Sequence, residues 1–249
     1  MDLFDLTGKL ALVTGSSRGI GRAAGLLLAK LGAKVIFHGA GATLKLLKTR
    51  EEAGGDAEVL AADFEKPEAV ERLADELIAS AKTPDILVLN ASVQSYTGLD
   101  DFDAGEFDRM FRANVESSCL LLRKLLPGMR EKGSGRVIFV GSINGVRPAS
   151  RLAVYGATKA ALMNIARCAA RENAPYGITV NTILPGVIET DRNAEKLSDA
   201  KFAEELRTKI PMHRFGTVDD CAGVIAFLAS DAAAYITGAE IPVSGGWQL

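Results

Sequence analysis

The sequence predicts an α/β fold in which one domain, residues 1–249, contains a doubly wound, seven-stranded parallel sheet with helices on both faces. Seven short apolar runs recur along the chain, and their hydrophobicity is nearly continuous, as in strands that are buried on both faces. Helical stretches separate these runs, so successive strands are joined by right-handed crossovers and lie parallel. Neither a low-complexity linker nor an internal repeat divides the sequence, which favours a single domain.

Each predicted element follows from its local composition. The strands are expected at residues 10–14, 34–37, 58–60, 86–89, 136–140, 178–180 and 240–243, and the helices at residues 22–31, 67–81, 107–130, 155–173 and 218–229. Pro67 and Thr217 stand at two of the helix starts, where a proline or a capping hydroxyl is favoured. Residues 189–212, between the sixth and seventh strands, are charged and irregular, with a helix expected at 199–209. Since this segment follows the carboxyl end of a strand, it is either a surface insertion or a substrate lid.

Composition excludes several classes of function. The 29 basic and 31 acidic residues give a net charge of −2, which offers no reason to expect binding to nucleic acid or to an anionic membrane. Residues 1–9 do not resemble a signal peptide, and no apolar run approaches the roughly 18 residues that span a bilayer. Cys119, Cys168 and Cys221 are far apart, which argues against a disulfide framework or a zinc site. We therefore expect a soluble cytoplasmic protein that binds a small-molecule substrate and no metal.

A glycine-rich turn joins the first predicted strand to the first predicted helix. Gly15 allows a tight turn, Gly19 allows the backbone to approach a pyrophosphate, and Gly21 allows the helix to pack on the strand. The N-terminus of the helix then presents unpaired N–H groups and the positive end of its dipole to the phosphates. An apolar strand before the turn and an amphipathic helix after it indicate a dinucleotide-binding (Rossmann) site.

The glycine spacing, G-x-x-x-G-x-G, resembles the cofactor loop of the short-chain dehydrogenase/reductase family, and the likeness extends over essentially the whole chain. Other family-like segments are Asn90-Ala91-Ser92 after the fourth strand, residues 185–190 (PGVIET) after the sixth, and residues 235–246 in the tail. Ser92 departs from the glycine that the family has at that position. Relatives usually form tetramers through the helices that are here predicted at 107–130 and 155–173 and through the last strand, so the resemblance implies a homotetramer.

The resemblance also implies which residues form the site. The catalytic set is expected to be Asn114, Ser142, Tyr155 and Lys159. The cofactor is expected to contact Gly15, Ser17, Arg18, Gly19, Ile20, Gly21, His38, Asp63, Phe64, Asn90, Ala91, Tyr155, Lys159, Pro185, Gly186, Ile188 and Thr190.

The end of the second strand bears on the choice of cofactor. Folds that prefer NAD place an acid there, which binds the ribose 2′-hydroxyl. Here the sequence continues from His38 through residues 39–42 (GAGA), with no carboxylate to repel a 2′-phosphate. Arg18 either supplies positive charge, as in family members that use NADP, or is a solvated loop residue. The expected cofactor is NADP, with NAD as the alternative.

Tyr155 and Lys159 taken alone would be a surface pair, and acid–base chemistry is predicted from them together with Ser142 and the glycine turn. The two residues lie four positions apart on a predicted helix and so share one face. The lysine ammonium and a positive nicotinamide ring are expected to lower the tyrosine pKa from about 10, and reaching about 7 requires roughly 4 kcal/mol. Ser142, just after the fifth strand, is expected to hold the substrate oxygen beside Tyr155. By resemblance, Asn114 holds a water that links Lys159 to solvent, and the set interconverts a carbonyl and a secondary alcohol by hydride transfer.

The sequence does not determine the identity of the substrate. Length and tail are similar to those of 3-oxoacyl-acyl-carrier-protein reductases and of sugar, polyol and hydroxysteroid dehydrogenases. Tyr176 and Gly133 occupy positions where many acyl-carrier reductases have arginine, which weakens that assignment. Arg147 and Arg151 are either contacts for an anionic substrate or exposed loop charges. A cofactor-sensing protein without catalysis is the alternative from another class, and the presence of Ser142, Tyr155 and Lys159 argues against it.

Overall fold

Seven parallel strands form one sheet in the computed structural model, which describes residues 2–249. The strands are β1 (Leu10–Val13), β2 (Lys34–Gly39), β3 (Glu58–Ala61), β4 (Ile86–Leu89), β5 (Gly135–Val140), β6 (Ile178–Pro185) and β7 (Glu240–Val243). Their spatial order is β3-β2-β1-β4-β5-β6-β7, and every neighbouring pair is parallel. The predicted doubly wound parallel sheet is confirmed.

Helices precede or follow each strand. They are α1 (Gly19–Lys30), α2 (Leu44–Ala53), α3 (Pro67–Ala79), α4 (Ala104–Phe111), α5 (Ser117–Lys132), α6 (Ala153–Asn173), α7 (Asp191–Leu197), α8 (Ala200–Thr208) and α9 (Val218–Ala229). A π-helical segment, Arg112–Glu116, joins α4 to α5 without a break. None of the helices within residues 2–249 combines the length and apolarity that crossing a membrane requires.

Three differences from the predicted elements have physical reasons. The helix predicted at 107–130 begins earlier, because the Asp103 side chain accepts the Glu106 N–H and caps α4. The sequence pattern does not predict α2 or α7, since at least half of the residues in each are charged and each buries at most two side chains. Strand β6 continues to Pro185 instead of ending at Val180, and its buried polar residues conceal this in the sequence.

Hydrophobic cores lie on both faces of the sheet. On one face Leu12 and Leu87 pack against α3, α5 and α6. On the other, Val13 and Val88 pack against α1 and α9. Fully burying one such side chain contributes roughly 1.5–3 kcal/mol, so burial on both faces holds the strand ends rigidly in place.

The chain changes its winding direction at β1. This strand pairs with β2 on one side and with β4 on the other. The connections after β1 and β4 therefore diverge and leave a crevice at the carboxyl ends of the strands, where ligands bind in such sheets. The glycine turn follows β1 and Asn90 follows β4, so both lie at this crevice.

Candidate active site

A cavity of about 600 Å³ opens at the carboxyl ends of the strands. Most residues that the sequence assigns to the site line it, namely Gly15, Ser17, Arg18, Gly19, Ile20, His38, Asp63, Phe64, Asn90, Ala91, Ser142, Tyr155, Lys159, Pro185, Gly186, Ile188 and Thr190. Gly21 and Asn114 do not line it but are buried beside it. The structure thus brings together residues that are spread over positions 15–190 of the sequence.

Asn90 fastens the glycine turn to the end of β4. Its Nδ2 donates to Thr14 O at 2.9 Å and to Gly15 O at 3.0 Å. Thr14 Oγ1 in turn accepts the N–H groups of Asn90 and Ala91. Gly15 has a φ of +64°, and a Cβ there would lie 2.8 Å from Ala91 Cα. The tight turn expected at Gly15 is therefore required by a close approach of two backbones.

Gly21 makes room for a side chain of the site and not for a strand. A Cβ at Gly21 would overlap Nδ2 of Asn90 and lie 2.6 Å from Gly15 O. The helix-on-strand packing expected of Gly21 occurs instead at Gly25, where a Cβ would overlap the Phe37 ring of β2. The prediction that Gly21 packs against a strand is wrong, because α1 contacts the sheet one helical turn later, at Gly25.

The first turn of α1 offers free donors to an anion. Arg18, at the N-cap, has an extended backbone and makes no side-chain hydrogen bond to the helix, and the first turn holds no acidic residue. The N–H groups there lack an intrahelical partner, and the helix dipole favours negative charge beside them. Together with the close-packed glycine turn, this arrangement fits the pyrophosphate of a dinucleotide.

His38 is a buried, neutral residue at the end of β2. Its Nδ1 accepts the Gly15 N–H at 3.2 Å, and its Nε2 lies 3.0 Å from Ala62 O, which can only accept. Burial lowers the pKa of His38 to about 4. The ring stacks on Phe64, with centroids 4.1 Å apart. His38 therefore ties the glycine turn to the residue after β3 and leaves the end of β2 uncharged.

Two cations and one carboxylate lie beside this uncharged end. The Asp191 carboxylate accepts a hydrogen bond from Lys45 Nζ at 3.0 Å and lies 3.9 Å from Arg18 Nη1. The Arg18 side chain is 61% exposed. A 2′-phosphate would meet two cations and a single carboxylate here, so the residues present fit NADP.

Ser142, Tyr155 and Lys159 converge at the carboxyl end of β5. All three are buried, with at most 6% of their surface exposed. Ser142 and Tyr155 both line the cavity, and Ser142 Oγ accepts the Asn144 N–H at 3.1 Å. Lys159 Nζ donates to Val140 O at 2.9 Å and lies 5.6 Å from the centroid of the Tyr155 ring. A hydroxyl pair and an amine thus face the cavity at one point.

The protein groups shift the pKa of Tyr155 in the direction opposite to the expected one. Burial raises this pKa, and the charge of Arg192 and a hydrogen bond from Ser142 oppose the rise. Lys159 is not the cation that lowers it, because burial and the charge of Arg192 lower the pKa of Lys159 itself to about 7. The positive charge that favours the phenolate comes instead from a residue that the sequence analysis does not single out.

The π-helical segment turns Asn114 inward. Its Oδ1 accepts the Val93 N–H at 2.7 Å, and its Nδ2 donates to Val93 O at 2.9 Å and to Thr158 Oγ1 at 3.1 Å. Thr158 Oγ1 donates to Tyr155 O at 2.7 Å. Both amide hydrogens of Asn114 are used, so a water beside it would bind through Oδ1 or the backbone. These bonds join the helical turn of Tyr155 to the segment after β4.

The cations of α7 are part of the site that sequence reasoning misses. Arg192 Nη2 donates to Ser92 O at 2.7 Å, and both of its Nη atoms contact Ser92 Oγ, at 3.2 and 3.3 Å. Lys196 Nζ lies 2.9 Å from the centroid of the Tyr96 ring. Both cations line the cavity. The available signals are the serine in place of the family glycine and two cations four positions apart directly after the predicted nicotinamide segment.

The two arginines considered as contacts for an anionic substrate face elsewhere. The Arg147 guanidinium lies 4.9 Å from the centroid of the Trp247 ring. Arg151 Nη2 donates to Tyr96 O at 3.3 Å and to Asp101 at 3.4 Å. Neither arginine belongs to the cavity wall.

Comparisons with known proteins place this geometry among enzymes. The family model described as enoyl-(acyl carrier protein) reductase matches residues 15–248. The 3-oxoacyl-[acyl-carrier-protein] reductase of Pseudomonas aeruginosa is 38% identical, with 98% of this chain and 99% of the relative covered. The L-rhamnose 1-dehydrogenase (NAD(P)(+)) of Azotobacter vinelandii is 35% identical, with 97% of each covered. A solved structure of a 3-oxoacyl (acyl-carrier-protein) reductase from Agrobacterium tumefaciens C58 with NADP bound superposes with a TM-score of 0.93 at 38% identity, over 98% of this chain and 96% of that one.

Proposed function

The chain belongs to the short-chain dehydrogenase/reductase family, and from this premise we propose that it is an NADP(H)-dependent oxidoreductase that interconverts a ketone and a secondary alcohol. One observation carries the proposal. Ser142, Tyr155 and Lys159 meet in one cavity with a glycine turn and an uncapped helix N-terminus. A carbonyl that enters beside a bound dinucleotide would find two hydroxyl donors at its oxygen.

The cofactor supplies or accepts the hydride at the carbonyl carbon when it is bound. Residues 15–21 and the first turn of α1 would hold its pyrophosphate, and Arg18 and Lys45 would hold the 2′-phosphate. Residues 185–188 and Thr190 line the cavity and would enclose the nicotinamide. By the family resemblance, the buried Lys159 would orient the nicotinamide ribose.

Ser142 and Tyr155 perform the acid–base part of the reaction. Both hydroxyls donate to the carbonyl oxygen, so negative charge that develops there is stabilised before the proton moves. Tyr155 then gives its proton to that oxygen and is reprotonated from Lys159. A lysine whose pKa is lowered to about 7 by burial and by Arg192 exchanges protons readily at neutral pH. In the reverse direction the Tyr155 phenolate removes the alcohol proton.

Asn114 acts as a positioning residue in this scheme. Its contacts with Val93 and Thr158 hold the helical turn of Tyr155 in register with the end of β4. The solvent link to Lys159 that the family resemblance assigns to Asn114 uses its Oδ1 or its backbone carbonyl. Buried amide networks of this kind fix geometry because each unmade bond would be costly.

The experiment that tests the function follows NADPH consumption with a panel of ketones, oxo acids and 3-oxoacyl thioesters. Tyr155→Phe should lower kcat by about 10²–10⁴-fold and leave NADPH binding intact, because only the proton donor is lost. Tyr176→Phe, at an exposed tyrosine outside the cavity, is the matched control and should behave as wild type. If wild type and Tyr155→Phe both bind NADPH and neither reduces any substrate, the result would instead support a cofactor-sensing protein.

Two substrate classes are candidates. The matched 3-oxoacyl-carrier reductases favour a ketoreductase, and the rhamnose enzyme favours a small polyol or sugar dehydrogenase. Docking of an acidic carrier protein would require free basic residues near the entrance. Lys132 and Arg136 lie at the amino end of β5, away from the cavity, and pair with Asp85 and Asp231, so neither is a free basic residue at the entrance. This arrangement supports the small-substrate candidate.

We also propose that residues 189–212 form a substrate lid. Helix α7 contributes Leu197 to the cavity wall and helix α8 contributes Phe202 and Leu206, and an apolar cluster around Ile210 and Phe215 anchors both helices. The lid should gain protection from hydrogen exchange when NADPH binds, and equal exchange with and without NADPH would contradict this role.

A homotetramer is proposed on the same family basis. Large apolar side chains are exposed near α4 and after β7, among them Phe102 and Phe107 at 40% and 38% and Leu249 at 95%. Exposed apolar surface of this kind is typical of a covered interface. Light scattering should give four times the chain mass of 26.3 kDa.

A cytoplasmic location is a further proposal. Cys119, Cys168 and Cys221 are all free thiols, which suits a reducing compartment. Fractionation of the source cells tests it, and recovery of the protein outside the cytoplasm would contradict it.

A further inference from the structure

One face of α7 presents two cations to the substrate end of the cavity. Arg192 and Lys196 are four residues apart, so their side chains lie on the same face of the helix, and both line the cavity. The structure attaches the Arg192 guanidinium to Ser92 O and Oγ, and Lys196 to the Tyr96 ring. Neither contact is with a carboxylate.

The charge of these cations is not balanced at this end of the cavity. Of the acids in the wall, Asp63 and Glu65 follow β3, at the opposite end, and Asp191 is bound by Lys45. Glu195, next to Lys196 on α7, does not line the cavity. Both cations are exposed, and Glu195 acts on Lys196 only through its charge. Two cations that line the cavity and form no salt bridge favour an anionic ligand.

Arg192 also lies beside the reacting position. Arg192 and Tyr155 line the same cavity, and the charge of Arg192 opposes the rise that burial causes in the pKa of Tyr155, whose hydroxyl faces the substrate oxygen. An anion bound by Arg192 would therefore share this cavity with the reacting carbonyl group. The neutral thioester of an acyl-carrier substrate would bring no charge to this place.

We propose that Arg192, assisted by Lys196, binds a carboxylate of the substrate, which makes the substrate a short 2- or 3-oxo acid in reduction and the matching hydroxy acid in oxidation. This inference rests on the proposed function, whose substrate class it specifies. A guanidinium presents two parallel N–H donors, which match the two oxygens of a carboxylate.

Ser92 acts as the positioning residue for this arginine. It accepts hydrogen bonds from both Nη atoms of Arg192 but occupies neither its Nε–H nor all of its Nη hydrogens. The guanidinium can thus remain on Ser92 while it binds a carboxylate. A glycine at position 92 would keep the backbone carbonyl but lose the Oγ contacts, which gives a physical reason for the serine.

The test compares free oxo acids with their methyl esters as substrates for NADPH-dependent reduction. Wild type should prefer acid to ester, and Arg192→Gln should lower kcat/KM for the acid by about 10²-fold more than it lowers kcat/KM for the ester, so that the preference for the acid is lost. The reaction is measured in the direction of reduction because reduction uses the protonated form of Tyr155. Removal of the Arg192 charge disfavours the phenolate, so it does not decrease the fraction of Tyr155 that is protonated. Lys196→Gln should give a smaller loss of the same kind.

Arg151→Gln is the matched control. Arg151 lies on the same rim but donates to Asp101 and Tyr96 O and does not line the cavity, so acid and ester should both react as with wild type. A ketone phosphate of similar length serves as a second anion. A preference for this phosphate over the oxo acid would overturn the assignment to a carboxylate.

A binding measurement separates this inference from the proposed function. The sequence has one tryptophan, Trp247, and it lines the cavity, so its fluorescence reports titration with the unreactive dicarboxylate malonate. Wild type should bind malonate, and Arg192→Gln should bind it at least tenfold more weakly. If no carbonyl compound is reduced, the proposed function fails, and malonate binding still tests the anion site. If acid and ester are reduced equally well, or if Arg192→Gln impairs both equally, the carboxylate site is overturned and Arg192 only fastens α7 to Ser92.

Discussion

Tyr155 experiences two opposing effects at the scale of single residues. Burial disfavours its phenolate, whereas Arg192 and Ser142 favour it. A buried tyrosine that remains protonated is a proton donor, which suits reduction. The positive charge of Arg192 keeps the reverse reaction within reach, since oxidation needs the phenolate.

Replacing Arg192 by Gln should move the pH profile of alcohol oxidation. Loss of the neighbouring cation disfavours the Tyr155 phenolate, so the rising limb of kcat should shift to higher pH. Oxidation rates measured across pH with NADP⁺ check this. Arg151→Gln should leave the rising part of the profile at the same pH as in wild type. An unchanged profile for Arg192→Gln would show that Arg192 does not act on Tyr155.

Arg18 is the residue on which cofactor choice depends most. Arg18→Gln should raise the KM for NADPH about tenfold and leave that for NADH unchanged, because only NADPH carries the 2′-phosphate. Steady-state kinetics with both cofactors measure the effect. The control is Arg72→Gln on α3, exposed and outside the cavity. An equal loss with both cofactors would argue for a general role of Arg18 in the glycine turn.

The strand–turn–helix unit of β1 and α1 owes its shape to close contacts at the scale of elements. Asn90, from β4, bonds two carbonyl groups of the turn, and no room remains for a side chain at Gly21. The glycine turn is therefore stabilised by hydrogen bonds from Asn90 as well as by its own backbone conformation. Cofactor binding and the position of β4 are coupled through Asn90.

Gly21→Ala should weaken NADPH binding by more than tenfold and destabilise the fold by about 1–3 kcal/mol, because the added methyl group displaces Asn90 or the turn. NADPH fluorescence titration and urea unfolding measure the two effects. Gly223→Ala in α9 is the matched control, since a Cβ there meets no atom within 4 Å. It should stabilise the protein by about 0.5–1 kcal/mol. Unaltered NADPH binding by Gly21→Ala would contradict the role given to Asn90.

At the scale of the whole molecule, the stability of the fold is linked to pH through His38. Burial lowers its pKa in the folded state to about 4 from an ordinary value of 6.5. The unfolded chain therefore binds a proton more readily, so stability is full above pH 6.5 and falls as the pH drops toward 4. The loss should be on the order of 3 kcal/mol.

Urea unfolding of wild type and His38→Gln between pH 7 and pH 4 tests this linkage. Carboxylates titrate in both proteins, so the difference between the two curves reports His38. The wild-type free energy of unfolding should fall more steeply over this range. Parallel curves would show that His38 becomes protonated without unfolding.

Local and periodic features of the sequence determined the architecture and most of the site. The seven strands, the glycine turn from Gly15 to Gly21 and the four-residue spacing of Tyr155 and Lys159 are visible in the sequence because they depend on neighbours along the chain. The helices α2 and α7 escape prediction because their charged sequences bury little surface.

Only the tertiary structure decided which groups act on one another. Arg192 and Ser92 meet although they are 100 positions apart, Gly21 makes room for Asn90, and Asn114 reaches Val93 and Thr158 through a π-helical turn. The pKa of Tyr155 follows from burial and from Arg192, not from the lysine beside it in sequence. Desolvation and charge depend on distances in space, and a spacing of residues along the chain does not contain those distances.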